Sequence, residues 1–211
     1  MAQGKLVVGV IGTQNTGKST FIGDVIRQCS TTGFEFKTVG CDYRKKIAEA
    51  GLSINRNGDL RSQKIICDTL IEQLDIIDTL PNGCYFTDRT PLDAYVYTAY
   101  LFRHRPELGI TQQDMDEMFK KVKSAMARYD KVVYINLDEC DNVQVVDDKF
   151  RDTNLEYRKE IDMLFKETLP LLCGDVLKGK VVRGICGGRQ ERVDRFLEAI
   201  GSELSDYEVV G

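Results

Sequence analysis

The chain has no tryptophan, one histidine, four prolines and no apolar run near the ~18 residues that a membrane-spanning helix needs. The last absence argues against a helical membrane protein. His104, in "FRHRPE", has no acid–nucleophile pattern around it and reads as a surface or helix-end residue rather than a catalyst. Seven cysteines are present, but none forms a C-x-x-C pair and their number is odd. Zinc binding and a disulfide framework are both disfavoured; reduced thiols of a cytosolic protein fit better. A basic excess is also missing. The net charge of −4 argues against a protein that coats nucleic acid, while leaving room for local basic patches. "MAQGK" leads straight into a strand-like run, so neither a signal peptide nor a transit peptide is expected, and a cytoplasmic location is. Repeats, low-complexity tracts and linkers are lacking too, and 211 residues suit one domain.

What is present is an alternation of short apolar runs with segments of helical period. Strands are expected at 5–11 ("KLVVGVI"), 34–40 ("FEFKTVG"), 84–88 ("CYFTD"), 131–137 ("KVVYINL") and 179–187 ("GKVVRGICG"). Helices are expected between and after them, at 19–29, 43–51, 60–80, 91–102, 111–128, 154–172 and 189–201. Pro91 suits a first helical position, Thr111 a cap and Gly51 a helix end. The polar stretch 138–154 has no periodicity and reads as a loop; the last ten residues form an acidic tail, 202–211. Alternating strands and helices imply a parallel sheet covered on both faces.

Gly12-Thr13-Gln14-Asn15-Thr16-Gly17-Lys18-Ser19 satisfies G-x-x-x-x-G-K-[ST] in full. The glycines let backbone N–H groups turn inward around an anion, and the helix starting near Lys18 points its positive end there. Lys18 is expected on the β- and γ-phosphates and the Ser19 hydroxyl on Mg²⁺. Gly12, Thr13, Asn15, Thr16, Gly17 and Thr20 complete the expected ATP cradle. A chance match is expected in only roughly 1% of chains this long, given average glycine and lysine usage. Here the motif also stands between an apolar strand and an amphipathic helix, the context it requires.

Other signatures narrow the class. N-K-x-D, T-K-x-D and D-x-x-G are all absent, which argues against a regulatory GTPase. A helicase or AAA-type motor would be longer and would carry an apolar strand ending in D-E. "YINLDE" imitates one but leads into the irregular loop, so Asp88 ranks above it as the Mg²⁺ partner. Asp88 ends a strand at the carboxyl edge of the sheet, where ligands bind in such folds. It can hold Mg²⁺ or take a hydroxyl proton, and Arg89 beside it can bind a substrate or transferring phosphate. A plain surface pair with Asp88 as a helix cap is the competing reading.

A P-loop followed by strand-DR-x-x-x-D-x-x-x-Y resembles the small-molecule P-loop kinases: deoxynucleoside kinases, thymidylate-type kinases and the nicotinamide riboside kinase-like group, some of them phage-encoded. "GCDYRKKIAEAG" resembles the group's acceptor-side stretch, "DDKFRDTNLEYRKEIDMLFKETL" its arginine-bearing lid, and "GICGGRQERVDRFLEAI" its fifth strand and adenine-bracketing turn. The resemblance implies an α/β P-loop NTPase fold, a three-layer sandwich with a five-stranded parallel sheet and a helical lid near 138–158. It implies that Asp42 takes the acceptor hydroxyl's proton, with a plain helix cap as the alternative. Arg44 and Gln63 would contact the acceptor, Arg151 and Arg158 the phosphates, and Arg189 the nucleotide. Of the lid arginines Arg151 is favoured, because Arg158 has Asp162 four residues on as a helix partner. The E-R-S triplet of many deoxynucleoside kinases and the D-R-Y of thymidylate kinases are missing. Without tryptophan, base stacking falls to Phe34, Phe36, Tyr43 or Tyr95.

The expected activity is ATP·Mg²⁺-dependent phosphoryl transfer to a nucleoside, nucleotide or related hydroxyl acceptor. One alternative acceptor is 5-hydroxymethyluracil in DNA, its backbone held by Arg44-Lys45-Lys46 and Lys120-Lys121-Lys123. A regulatory ATPase acting on a protein partner and a non-enzymatic protein with a vestigial P-loop are the other readings. Monomer and homodimer both stay open.

Overall fold

The computed structural model describes residues 4–31, 34–138 and 153–204. Its strands are β1 (Lys5–Ile11), β2 (Phe36–Thr38), β3 (Gly83–Asp88), β4 (Lys131–Tyr134) and β5 (Val181–Val182). They form one parallel sheet in the order β2-β3-β1-β4-β5. Seven helices accompany them among the described residues: α1 (Lys18–Ser30), α2 (Tyr43–Glu49), α3 (Leu60–Thr79), α4 (Pro91–His104), α5 (Gln112–Met126), α6 (Leu155–Cys173) and α7 (Arg189–Leu204).

Alternation along the strands builds two cores, because successive side chains leave a strand on opposite faces. Leu6, Val8 and Val10 enter one core with Phe21 and Val25 of α1 and Phe196 and Ile200 of α7. Val7 and Ile11 enter the other, with residues of α2 to α6 such as Leu70, Leu92, Val122 and Phe165. Two buried faces explain why these strands read as unbroken apolar runs rather than alternating ones. The three-layer α/β sandwich is as expected.

Strand ends differ from the sequence reading. β2 spans 36–38 rather than 34–40, and β5 spans 181–182 rather than 179–187. Both are edge strands, with one neighbour each to pair with. β4 stops at Tyr134 rather than 137 because its partner runs out: Tyr134 stands opposite Ile11, where β1 ends and the chain turns at Gly12. Of the expected lid, 138 and 153–158 are described, and Arg151 lies outside the described residues.

The sheet brings the chemistry to its carboxyl edge. Val10 of β1 stands opposite Asp88, the last residue of β3, so the Gly12–Ser19 loop starts beside that carboxylate. Gly9 lets α4 come close: a Cβ there would lie 2.5 Å from Thr90 Cγ2 and 2.8 Å from Tyr129 Cε1. No helix among the described residues is long and apolar enough to cross a membrane.

Candidate active site

The loop after β1 is shaped by its carbonyls. Lys18 Nζ folds back to donate to Gly12 O (2.9 Å) and Thr13 O (2.6 Å). Arg158, buried on α6, donates from Nε to Gln14 O (3.2 Å) and from Nη2 to Asn15 O (3.1 Å). Arg192, buried on α7, donates from Nη1 to Thr16 O (3.0 Å). Five consecutive carbonyls thus accept from three cations. A run of peptides whose oxygens face outward turns its N–H groups to the concave side, the arrangement that cradles an anion. Gly12 permits the turn at φ +140, where a Cβ would meet Ile135 O at 2.5 Å.

Asn15, Thr16, Gly17, Lys18, Ser19 and Thr20 line a cavity of about 80 Å³ together with Gln14, Arg44, Asp88 and Arg89. Asn15 sits at φ 58 with a buried carboxamide whose Nδ2 and Oδ1 have no hydrogen-bond partner. An unsatisfied buried polar group costs about 1–3 kcal/mol. A bound anion beside it would offset that cost, and the loop therefore fits a phosphate chain. Ser19 Oγ donates to Asp88 Oδ2. A hydroxyl and a carboxylate in contact, beside a phosphate cradle, form the oxygen donor set that Mg²⁺ prefers. The residues present fit a nucleotide's phosphate chain, and Ser19 and Asp88 could hold a hard cation beside it.

A second cavity, about 30 Å³ in this conformation, lies behind the first. Tyr43 and Ile54, Gln63 and Ile66 of α3, and Asp93 and Tyr97 of α4 line it. Arg89 lines both cavities. It adopts φ 87, a left-handed conformation that costs a non-glycine residue about 1–3 kcal/mol. Its Nη1 donates to Asp93 Oδ1 (3.3 Å), and its guanidinium carbon lies 5.5 Å from the centroid of the Tyr97 ring. Burial opposes its charge, yet Tyr43, Tyr97, Asp93 and Asp88 around it hold the guanidinium's pKa well above its ordinary value. Burial pushes the Asp93 carboxyl up, against the pull of Arg89 and Lys18. The same carboxylate accepts from Thr90 N (2.9 Å) and so also caps α4.

The remaining predicted residues divide. Gln63 lines the second cavity. Arg44 instead lines the phosphate cavity. Asp42 is exposed at the start of α2, makes no side-chain cap bond and lines neither cavity. Arg158 is engaged with the loop, while Asp162 accepts from Tyr134 Oη (2.9 Å), Leu137 N (3.0 Å) and Lys166 Nζ (2.9 Å); the simple helix pair expected for Arg158 gives way to this. Arg189 is 68% exposed and forms a bidentate pair with Asp24 on α1. Its neighbour Arg192, which the sequence reading passed over, holds the loop. The signal was there: Arg192 lies on the same helical stripe as the buried Phe196 and Ile200, and a cation on such a stripe needs an acceptor inside.

A phosphate loop at the carboxyl edge of a parallel sheet, with a hydroxyl and a carboxylate set for a hard cation, defines a P-loop NTPase. Residues 7–173 match the family model described as an AAA domain, and the chain belongs to that family. Asp138 of "YINLDE" is exposed and pairs with Lys166 (2.7 Å), while Glu139 lies outside the described residues.

Among solved structures the chain is similar to the NadR protein in complex with NR, at 18% identity and a TM-score of 0.65, over 98% of this chain and 52% of that one. The complex of NadR with NAD and AMP-PNP matches at 18% and 0.62, over 93% and 50%. Deoxyadenosine kinase from M. mycoides with bound dATP matches at 15% and 0.59, over 95% and 99%. The chain spans about half the length of the NadR chains. At these identities the likeness is one of fold. No curated protein matches the chain in sequence.

Proposed function

We propose that the protein is an ATP·Mg²⁺-dependent kinase that phosphorylates a hydroxyl of a small nucleoside- or nucleotide-class acceptor. One observation carries the reading: Arg89, strained and charged, is shared between a phosphate cavity and a separate pocket walled by aromatic, amide and apolar side chains. A hydrolase needs only the first cavity. A kinase needs two that meet at the transferring group. The similar structures point the same way: a deoxyadenosine kinase, and complexes of NadR with NR and with AMP-PNP.

ATP·Mg²⁺ supplies the phosphoryl group and neutralises part of its charge. The chain supplies positioning and counter-charge, which dominate catalysis of such transfers. Lys18 exchanges its two carbonyls for phosphate oxygens, Ser19 and Asp88 hold the metal, and Arg89 balances charge where the cavities meet. Gln63 reads the acceptor through its amide. Asp93 lines the acceptor cavity, where it would orient the hydroxyl and take up its proton as the new P–O bond forms and the bond from the γ-phosphorus to the departing ADP breaks. Asp42 can take that part only if α2 turns it inward.

DNA as acceptor is less favoured. Lys45, Lys46, Lys121 and Lys123 of the two basic clusters each stand within 4.0 Å of a carboxylate, and Arg44 faces the phosphate cavity. The test is γ-labelled ATP with a panel of nucleosides, nucleotides, nicotinamide riboside and hydroxymethyluracil-containing DNA. Label on a small acceptor, lost in Lys18→Ala, supports the reading; label on DNA alone refutes the small-acceptor assignment. ATP hydrolysis stimulated by a protein partner, with no acceptor labelled, selects the regulatory ATPase that the family's description also permits.

A further inference from the structure

Gln14 of the phosphate loop reaches the wall of the second cavity with its side chain. It is buried in the phosphate cavity, and its Oε1 accepts from Thr13 Oγ1 (3.2 Å) and from the Tyr97 hydroxyl. Tyr97, equally buried, belongs to the acceptor cavity, where its ring lies against Arg89 and edge-on to Tyr157 at 6.3 Å. The backbone oxygen of Gln14 is held by Arg158. A ligand in the second cavity would lie against Tyr97, one of the side chains that wall it. Movement of the phenol acts on the Gln14 side chain directly and on Arg89 through ring contact.

We infer that Tyr97 is a positioning residue that couples the two sites: acceptor occupancy sets the position of its hydroxyl, and through Gln14 the shape of the phosphate loop. This presupposes the kinase reading above. Arg158 of α6 and Arg192 of α7 hold three of the loop's carbonyls, so loss of the Tyr97 hydroxyl removes the link without removing those anchors. Coupling between two ligands is reciprocal and is read as the factor by which one changes the affinity of the other.

The experiment measures the Kd of AMP-PNP·Mg²⁺ by calorimetry with and without saturating acceptor, using whichever of deoxyadenosine and nicotinamide riboside the wild-type enzyme labels. In the wild type the acceptor is expected to tighten AMP-PNP binding by about 5-fold or more. In Tyr97→Phe that factor is expected to fall to within about 2-fold of unity. A merely structural role for Tyr97 would weaken both measurements together and leave their ratio intact. In a double-mutant cycle with Gln14→Leu, the double variant is expected to lose no more coupling than either single one. A wild type that labels an acceptor without coupling, a Tyr97→Phe enzyme that keeps the full ratio, or additive losses in the cycle each overturn the inference and leave the kinase reading standing. A wild type that labels neither probe overturns the inference as stated, and the wider acceptor panel then decides the kinase reading separately.

Discussion

Arg158 separates two ideas about how the nucleotide site is built. If it holds the loop from behind, its loss should damage the protein before any nucleotide is added. The structure gives it two bonds, to Gln14 O at 3.2 Å and Asn15 O at 3.1 Å, from a side chain that is 5% exposed. Hydrogen bonds involving a charged group contribute about 1.5–3 kcal/mol each. Relief of the buried guanidinium, and water entering the nearby cavity, offset part of the two. Replacement by methionine, which keeps most of the volume, should therefore cost about 2–3 kcal/mol. For a chain of this size each kcal/mol lowers Tm by about 2–4 °C, so the nucleotide-free Arg158→Met protein should melt about 4–12 °C below wild type. Arg158→Lys, with a single compact donor, should fall between. Calorimetry without nucleotide decides it. A nucleotide-free Tm within about 1 °C of wild type, accompanied by weakened ATP binding, would show that Arg158 meets phosphate rather than loop carbonyls and would refute the reasoning.

Ser19→Ala and Asp88→Asn should each raise the Mg²⁺ concentration needed for half-maximal turnover by about 10-fold or more, measured by Mg²⁺ titration at fixed ATP. Asp42→Asn should leave kcat within about 3-fold, because the side chain is exposed outside both cavities; a loss of 10²-fold, the low end for removing a general base, would return Asp42 to the catalytic role. Gly9→Ala should destabilise by about 1–3 kcal/mol in urea unfolding, since Thr90 and Tyr129 must both move. Asp24 titrates below its ordinary 3.8, chiefly through its hydrogen bonds to Arg189. A depressed carboxyl stabilises above its unfolded pKa and loses that contribution as pH falls through the folded one. Arg189→Ala should therefore lower stability slightly at pH 7, as losing a solvent-screened pair does, and the gap from wild type should close as pH falls below about 3.8.

The fold was legible because the strands at 5–11, 84–88 and 131–134 are buried on both faces, which writes them as unbroken apolar runs. Their ends were not, since β4 stops where β1 ceases to pair and edge strands have one neighbour only. Lys18, Ser19 and Asp88 were legible for a related reason: a local motif and a strand end fix them almost without tertiary context. Side chains on helices depend on phase. Arg189 and Arg192 are three residues apart, yet one pairs with Asp24 at the surface and the other reaches Thr16 O. Asp42 follows an edge strand, and nothing local decides whether it faces the cavity. Asp93 and Tyr97 lay inside the recognised D-R-x-x-x-D-x-x-x-Y spacing; their cavity forms only when α3 packs on α4.

The G-x-x-x-x-G-K-S motif is commonly treated as sufficient for phosphate binding, and this structure shows what it leaves out. Its N–H groups bind an anion only while its carbonyls are held outward. Lys18 holds two of the five, and the other three depend on arginines 176, 144 and 143 residues away from the carbonyls they meet. These arginines give an acidic chain a local concentration of positive charge against the loop's carbonyls. Charge placed there attracts the anion without competing for its oxygens, whereas Lys18 must let go of the loop to reach them. The loop's readiness is thus set by α6 and α7 as much as by its own sequence. A peptide of residues 4–31 would keep the motif and lose both arginines, and it should bind AMP-PNP at least 10²-fold more weakly than the full chain. Equal affinity would mean that the carbonyl clamps contribute nothing.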